Sequence, residues 1–171
     1  FAKKHDVIFY YRKSSSCIFN ATKEKSYMGI GYSTGNKNVK LYDDNDGKGP
    51  YTLVNTKDWW SDIGMIATSK GRLYPTEKPE DLLSRIIKTP SNENDIVLDA
   101  FAGSGTTLAV AEKLQRRWMG IDCGKLAIYT MQKRMLNLRE EIGNEGKLLK
   151  AKAFTLYNAG LYDWAEVKKL D

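Results

Sequence analysis

Cysteine and histidine are scarce, with Cys17, Cys123 and His5 as the only examples among 171 residues. Two cysteines with no second pair nearby, beside a single histidine, argue against a zinc site or a disulfide framework. Two reduced thiols in a cytoplasmic protein is the reading that remains. Proline is almost as sparse, and Pro50, Pro75, Pro79 and Pro90 are nowhere adjacent. No stretch approaches the roughly 20 consecutive apolar residues that cross a bilayer, so a soluble chain with no membrane partner is expected. The opening Phe1-Ala2-Lys3-Lys4-His5 has neither an initiator Met nor an apolar signal segment. Nothing there directs secretion, and the missing Met hints at a trimmed chain.

What is present suits one sizeable core, and the length is too short for two ordinary α/β domains. The chain is therefore expected to be one domain or part of one. Lys and Arg total 27 against 21 Asp and Glu, for a net charge of +6 and a pI near 9.2. That balance favours a polyanionic partner without specifying nucleic acid.

Along the chain, Asp6-Val7-Ile8-Phe9-Tyr10-Tyr11 is β-branched and aromatic and reads as a strand. Between Asn20 and Lys57 apolar density falls, no regular period is visible, and Asp43 to Pro50 reads as a turn or loop. Pro79 suits the first position of a helix, with Glu80 and Asp81 favoured in its first turn by the helix dipole. Leu82, Leu83, Ile86 and Ile87 would form its apolar face, and Pro90 would stop it. Asp95-Ile96-Val97-Leu98-Asp99 reads as a buried strand, Ala100 to Thr107 as a tight loop into a helix, and Trp118 to Asp122 as the next strand. A third helix carries Ala127, Ile128, Met131, Met135 and Leu138 on one face. Strand, glycine loop, helix, strand, helix is the start of a doubly wound α/β sheet, which needs helices on both faces.

The segment Val97-Leu98-Asp99-Ala100-Phe101-Ala102-Gly103-Ser104-Gly105-Thr106-Thr107 lies where such sheets bind ligands, at the carboxyl end of a strand. Gly103 and Gly105 allow a sharp turn and close approach, and the amides and hydroxyls of Ser104, Thr106 and Thr107 could receive a carboxylate. Asp122, 19 positions after Gly103, would end the next strand with a carboxylate suited to ribose hydroxyls. A triphosphate loop would need a lysine that is absent. A dinucleotide loop would want a small residue where Leu108 stands. S-adenosylmethionine, with a carboxylate and a ribose but no phosphate, fits best, against the plain alternative of an ordinary glycine turn.

The string Asp99 to Thr107, preceded by Tyr74-Pro75-Thr76-Glu77-Lys78-Pro79 and followed by Arg116-Arg117-Trp118-Met119-Gly120-Ile121-Asp122, resembles the adenine-N6 and cytosine-N4 DNA methyltransferases. Its order is similar to their permuted (beta-type) subgroup, with the likeness running over roughly residues 1 to 142. Residues 153–158 and 161–164 more loosely resemble modification subunits of type III restriction systems.

This resemblance implies a Rossmann-like doubly wound methyltransferase sheet, incomplete in this chain, with a loop-rich target-recognition insertion. It divides the chain into a strand region (1–19), a recognition region (20–72), an S-adenosylmethionine-binding part (73–142) and a C-terminal extension (143–171). Phe101, Ala102, Gly103, Ser104, Gly105, Thr106 and Thr107 would wrap the methionine part of the cofactor, Asp99 would begin that wall, and Asp122 would hold the ribose. Ala100 stands where the family commonly has proline. Thr76, Lys78 and Pro79 would approach the cofactor's amino acid end, Lys78 having the alternative of a solvated lysine and Asp122 that of a helix cap. The family's Asp-Pro-Pro-Tyr type of tetrad has no counterpart, since no two prolines adjoin. In the permuted order it is expected before Phe1, making this piece alone inactive.

The implied partner is double-stranded DNA with a flipped target base, adenine in preference to cytosine. A restriction subunit and a homodimer through an edge strand stay open as further partners. Lysines 23, 25, 37, 40, 48, 57 and 70 with Arg72 could bind phosphate or simply solvate the surface. Trp59 and Trp60 are expected to anchor their loop rather than wedge DNA. The rival functions are a non-catalytic DNA-binding remnant or specificity module and a nicotinamide oxidoreductase.

Overall fold

The computed structural model describes residues 6–28, 38–64, 77–150 and 152–158. Its elements run β1 (Lys23–Tyr27), β2 (Tyr51–Asn55), α1 (Glu80–Lys88), β3 (Ile96–Asp99), α2 (Thr106–Lys113), β4 (Arg117–Gly120), α3 (Lys125–Leu136), β5 (Arg139–Glu141) and β6 (Glu145–Leu148). No helix among the described residues is long and apolar enough to cross a membrane.

The core is the β3-α2-β4-α3 unit, an α/β arrangement. β3 and β4 pair in parallel, from Ile96 opposite Arg117 to Asp99 opposite Gly120. α2 is buried on two sides. Leu108 and Ala109 join Ala102, Ala127, Met131, Met135 and Leu138, while Val110 and Ala111 join Ile87 of α1. The apolar stripe expected from Leu108, Ala111 and Leu114 is thus widened to nearly the whole helix, because α1, the sheet and α3 surround it. Gln115, at φ 60°, ends it in the left-handed region, and Arg116 donates to the Ser91 carbonyl at 2.8 Å, tying the start of β4 to the end of α1.

α1 begins one residue later than expected. Pro79 is the extended residue before it, at φ −65° and ψ 143°. That suits proline, whose ring fixes φ and which has no N–H to offer the helix.

Three sequence expectations need correction. Residues 6–11 form no strand, and Val7 to Tyr11 are all at least half exposed, since a β-branched run is a strand only where another strand accepts its backbone hydrogen bonds. Helices also do not cover both faces of the β3-β4 sheet among the described residues. Ile96, Leu98, Met119 and Ile121 stay exposed on the face away from α2.

The third correction concerns residues 20–57, which are not formless. β1 and β2 make an antiparallel ribbon, from Lys23 opposite Asn55 to Tyr27 opposite Tyr51. Tyr51 is buried between Tyr27 and Tyr42, with ring centroids 5.5 and 5.6 Å away. Asn20 fastens this ribbon to the core by donating from its side chain to the carbonyls of Lys88 and Ser91, both at 3.0 Å. A hairpin, β5-β6, closes the C-terminal side, and the division drawn at residues 142 and 143 falls in its turn.

Candidate functional site

Two left-handed glycines shape the turn between β3 and α2. Gly103 has φ 50° and Gly105, the residue capping α2, has φ 74°, a region closed to most side chains. Packing excludes a side chain at Gly105 as well, because a Cβ there would lie 2.6 Å from Met131 Cγ. The turn is stapled internally by Gly105 N–H donating to the Ala102 carbonyl at 2.7 Å, and Ala102 N–H donates to Ile121 at 3.0 Å. Asp99 Oδ1 accepts the Phe101 amide at 3.0 Å.

Asp122 is the brace between the two loops that leave the sheet. One of its oxygens accepts the Gly103 amide and the other the Gly124 amide, each at 2.8 Å. Asp122 thus stands at the end of β4 beside the glycine turn, and the groups it binds there are backbone amides, one of them at the start of α3.

A broad cleft of about 1850 Å³ opens beside this brace, lined by Ala100, Phe101, Asp122, Tyr129, Phe154 and Tyr157 among others. Phe101 is 92% exposed at its edge. Two expected hydroxyl donors are withdrawn from it. Ser104 and Thr106 are buried, and their hydroxyls bond each other at 2.9 Å, because a buried hydroxyl must find a partner. Thr107 stays partly exposed.

A buried ionic cluster underlies the turn, and no motif in the sequence marks it. Arg134 of α3 donates through Nε to the Ser104 carbonyl at 2.8 Å and pairs with Glu77, while its Nη1 lies 3.9 Å from Glu80 Oε1. Glu80 Oε2 in turn accepts from Lys113 Nζ at 2.6 Å and from the Gly143 and Asn144 amides at 2.8 and 3.2 Å. Glu80 was expected merely to complement the helix dipole, yet its side chain is 7% exposed and Lys113's 1%. One cluster thus joins α1, α2, α3 and the β5-β6 turn.

The segment before α1 is brought to the turn through Glu77 and Arg134. Lys78 points outward, 60% exposed and 3.5 Å from Asp6, and Pro79 is half-buried. Thr76 lies outside the described residues.

Within residues 38–64 the two tryptophans part company. Trp60 is half-buried beneath Arg85, whose guanidinium sits 5.0 Å from the ring and grips Asp62 with two hydrogen bonds at 3.1 and 2.5 Å. That grip holds the Asp62 carboxyl below the ordinary carboxylate range. Trp59 is 61% exposed with Lys57 5.1 Å away, so the anchoring role expected of both belongs to Trp60. On the ribbon, hydrogen bonds from Lys25 and Tyr51 likewise hold Asp44 low.

A family model described as DNA methylase matches residues 1–133. The type II methyltransferase M.BamHI of Bacillus amyloliquefaciens is 41% identical over 101 residues, which cover 58% of this chain and 23% of that protein. M.EcaI of Enterobacter cloacae is 36% identical over 117 residues, covering 65% and 24%. M.HinfI of Haemophilus influenzae is 30% identical over 137 residues, covering 80% and 31%. Among solved structures, the crystal structure of the M1.HpyAVI-SAM complex aligns with a TM-score of 0.35 at 32% identity, over 49% of this chain and 48% of that one. The chain spans about a quarter to a third of the length of these curated relatives. With its N-terminal 133 residues matched and the strand, glycine turn and helix lying within them, the chain belongs to the DNA methylase family.

Proposed function

We propose that the protein is an S-adenosylmethionine-dependent, site-specific DNA methyltransferase of a restriction-modification system, acting on adenine N6 in preference to cytosine N4. The observation that carries this reading is the turn of Gly103 and Gly105 at the carboxyl end of β3, braced by the Asp122 carboxylate from the end of β4. The relatives named above are type II enzymes, and the proposal follows them rather than the looser type III likeness. The Rossmann-like doubly wound sheet belongs to the same reading, with the uncovered apolar face of β3 and β4 as the side awaiting a second layer. A restriction partner and a homodimer would be additions to it.

The donor set fits the cofactor's chemistry. Asp122 accepts one amide on each oxygen, and a carboxylate oxygen keeps a second lone-pair site for a ribose hydroxyl. Asp99 keeps Oδ2 for a cofactor ammonium, and Phe101 offers an exposed ring at the cleft edge. Gly103 and Thr107 border the methionine end, where the first amides of α2 lack intrahelical acceptors and favour a carboxylate. Ser104 and Thr106 act here through backbone only, and Thr76, Lys78 and Pro79 would close the amino acid end. Bound S-adenosylmethionine supplies an electrophilic methyl group on its sulfonium.

The protein's own work is to orient that group, keep water away and present it to a base turned out of the duplex. The β1-β2 ribbon, with Lys23 and Lys25 outward, has the width of element that a DNA major groove admits. No Pro-Pro tetrad occurs in these 171 residues, so acceptance of hydrogen bonds from the target amine is assigned to none of them.

The test is calorimetric titration with S-adenosylhomocysteine, NAD as competitor, and the variant Phe101→Ala. Because Phe101 is almost fully exposed, its loss should leave the melting temperature unchanged and weaken binding. Preference for NAD would transfer the site to the oxidoreductases. DNA binding without affinity for either ligand would leave a non-catalytic DNA-binding module.

A further inference from the structure

The peptide between Ser104 and Gly105 is held at both ends. Its N–H, on Gly105, donates to the Ala102 carbonyl at 2.7 Å. Its carbonyl, on Ser104, accepts from Arg134 Nε at 2.8 Å. The first hold is local to the turn, whereas the second comes from the far end of α3, 30 residues away. Arg134 is itself fixed, with a side chain only 9% exposed, paired with Glu77 and facing Glu80. A guanidinium is a planar fork of five donors, so carboxylates on its Nη atoms also set where Nε points.

We propose that Arg134 is a positioning residue for the ligand loop, fixing the Ser104–Gly105 peptide plane and coupling the Glu77-Lys78-Pro79 segment to the glycine turn. This rests on the cofactor site proposed above. The cluster of Glu77, Arg134, Glu80 and Lys113 carries two negative and two positive charges and balances without the Ser104 carbonyl. The bond to Ser104 is therefore surplus to charge neutrality, and its effect is geometric. Gly105 is the left-handed residue from which α2 starts, so rotation of the preceding peptide would redirect the first amides of α2, where the ligand's carboxylate is expected.

The charge-keeping change Arg134→Lys separates the two roles, because a compact ammonium can sit between Glu77 and Glu80 without also reaching Ser104 in a fixed direction. The full chain is compared as wild type, Arg134→Lys, Arg134→Gln and Ile87→Val, the last trimming a buried methyl group of α1 away from the turn. Three quantities are read: melting temperature, affinity for S-adenosylhomocysteine by calorimetry, and hydrogen exchange at the Gly105 amide. Arg134→Lys is expected to melt somewhat below wild type, because the Ser104 carbonyl loses its charge-assisted partner, to bind S-adenosylhomocysteine roughly tenfold more weakly or worse, because the amides facing the ligand are no longer pre-oriented, and to exchange faster at Gly105. Ile87→Val should melt lower and bind normally. Wild-type affinity in Arg134→Lys, or affinity that simply follows melting temperature through all four proteins, would overturn the proposal. If the wild type binds no homocysteine ligand, the cofactor reading fails, and Gly105 exchange still decides the positioning: faster exchange in Arg134→Lys supports it and unchanged protection overturns it.

Discussion

Leu108 occupies the space in front of Gly120. A Cβ built on Gly120 would stand 2.5 Å from Leu108 Cδ1 and 3.3 Å from the Ala102 Cβ. In a dinucleotide-binding turn a small residue on the helix lets helix and strand pack closely. Here the helix carries leucine, and the strand supplies the small residue. Close packing of α2 on the sheet is kept with the roles exchanged, which explains how a leucine is accommodated just after the glycine turn.

Gly120→Ala is accordingly expected to destabilise the protein by about 1–3 kcal/mol, the usual cost of forcing an extra methyl into a filled core. Urea unfolding would measure it. Leu108→Val should cost less on the Gly120→Ala background than alone, and strict additivity of the two changes would remove the claimed contact.

Gly105 and Gly143 allow strain and crowding to be told apart. Both have positive φ, 74° and 85°, but a Cβ meets Met131 at Gly105 and nothing within 4 Å at Gly143. Alanine at Gly143 should cost about 1 kcal/mol, the left-handed penalty alone. Alanine at Gly105 should cost at least about 1 kcal/mol more, since overpacking adds to strain. Equal losses in chemical denaturation would show that Met131 moves aside freely.

Lys113→Met leaves Glu80 as a buried carboxylate without its closest cation. A loss of about 3 kcal/mol is expected, at the lower end for a broken buried pair, because the Gly143 and Asn144 amides remain as donors. Adding Glu80→Gln to Lys113→Met should restore part of it. Thermal melts of the two single variants and the double variant form the cycle that measures the coupling.

The Asp62–Arg85 pair gives a pH dependence of known sign. Arg85 depresses the folded-state pKa of Asp62, so its stabilisation is complete above the ordinary carboxylate range and is lost as pH falls through the depressed value. Asp62 is 57% exposed, which limits the effect to less than about 1 kcal/mol. Wild type should melt slightly above Asp62→Asn at neutral pH, and the difference should vanish on acidification. A difference that grows in acid would reverse the assigned sign.

The order of β3, α2, β4 and α3 was legible from local pattern: short β-branched runs, a glycine turn between them, and apolar residues at helical spacing. The turn itself was legible because left-handed backbone demands glycine, and Asp122 because its distance from Gly103 spans one helix and one strand. β1 was not legible. Lys23-Glu24-Lys25-Ser26-Tyr27 has no apolar alternation, and its strand character comes from pairing with β2 and from tyrosines that meet only when Tyr42 and Tyr51 come together. Residues 6–11 err in the opposite direction, carrying strong β propensity without a described partner.

The amino-acid sequence by itself determined which residues could form the turn and its flanking elements, since backbone sterics and side-chain periodicity act between near neighbours. The tertiary structure alone decided what those residues do once folded: that Asp122 braces Gly103, that Ser104 and Thr106 turn to each other, and that Arg134 reaches Ser104 beside Glu77 and Glu80. Those contacts join groups 19 to 57 positions apart, apart from the Ser104–Thr106 bond. They exist because burial makes an unpartnered charge or polar group costly, and what is buried is settled only when the helices close over the sheet.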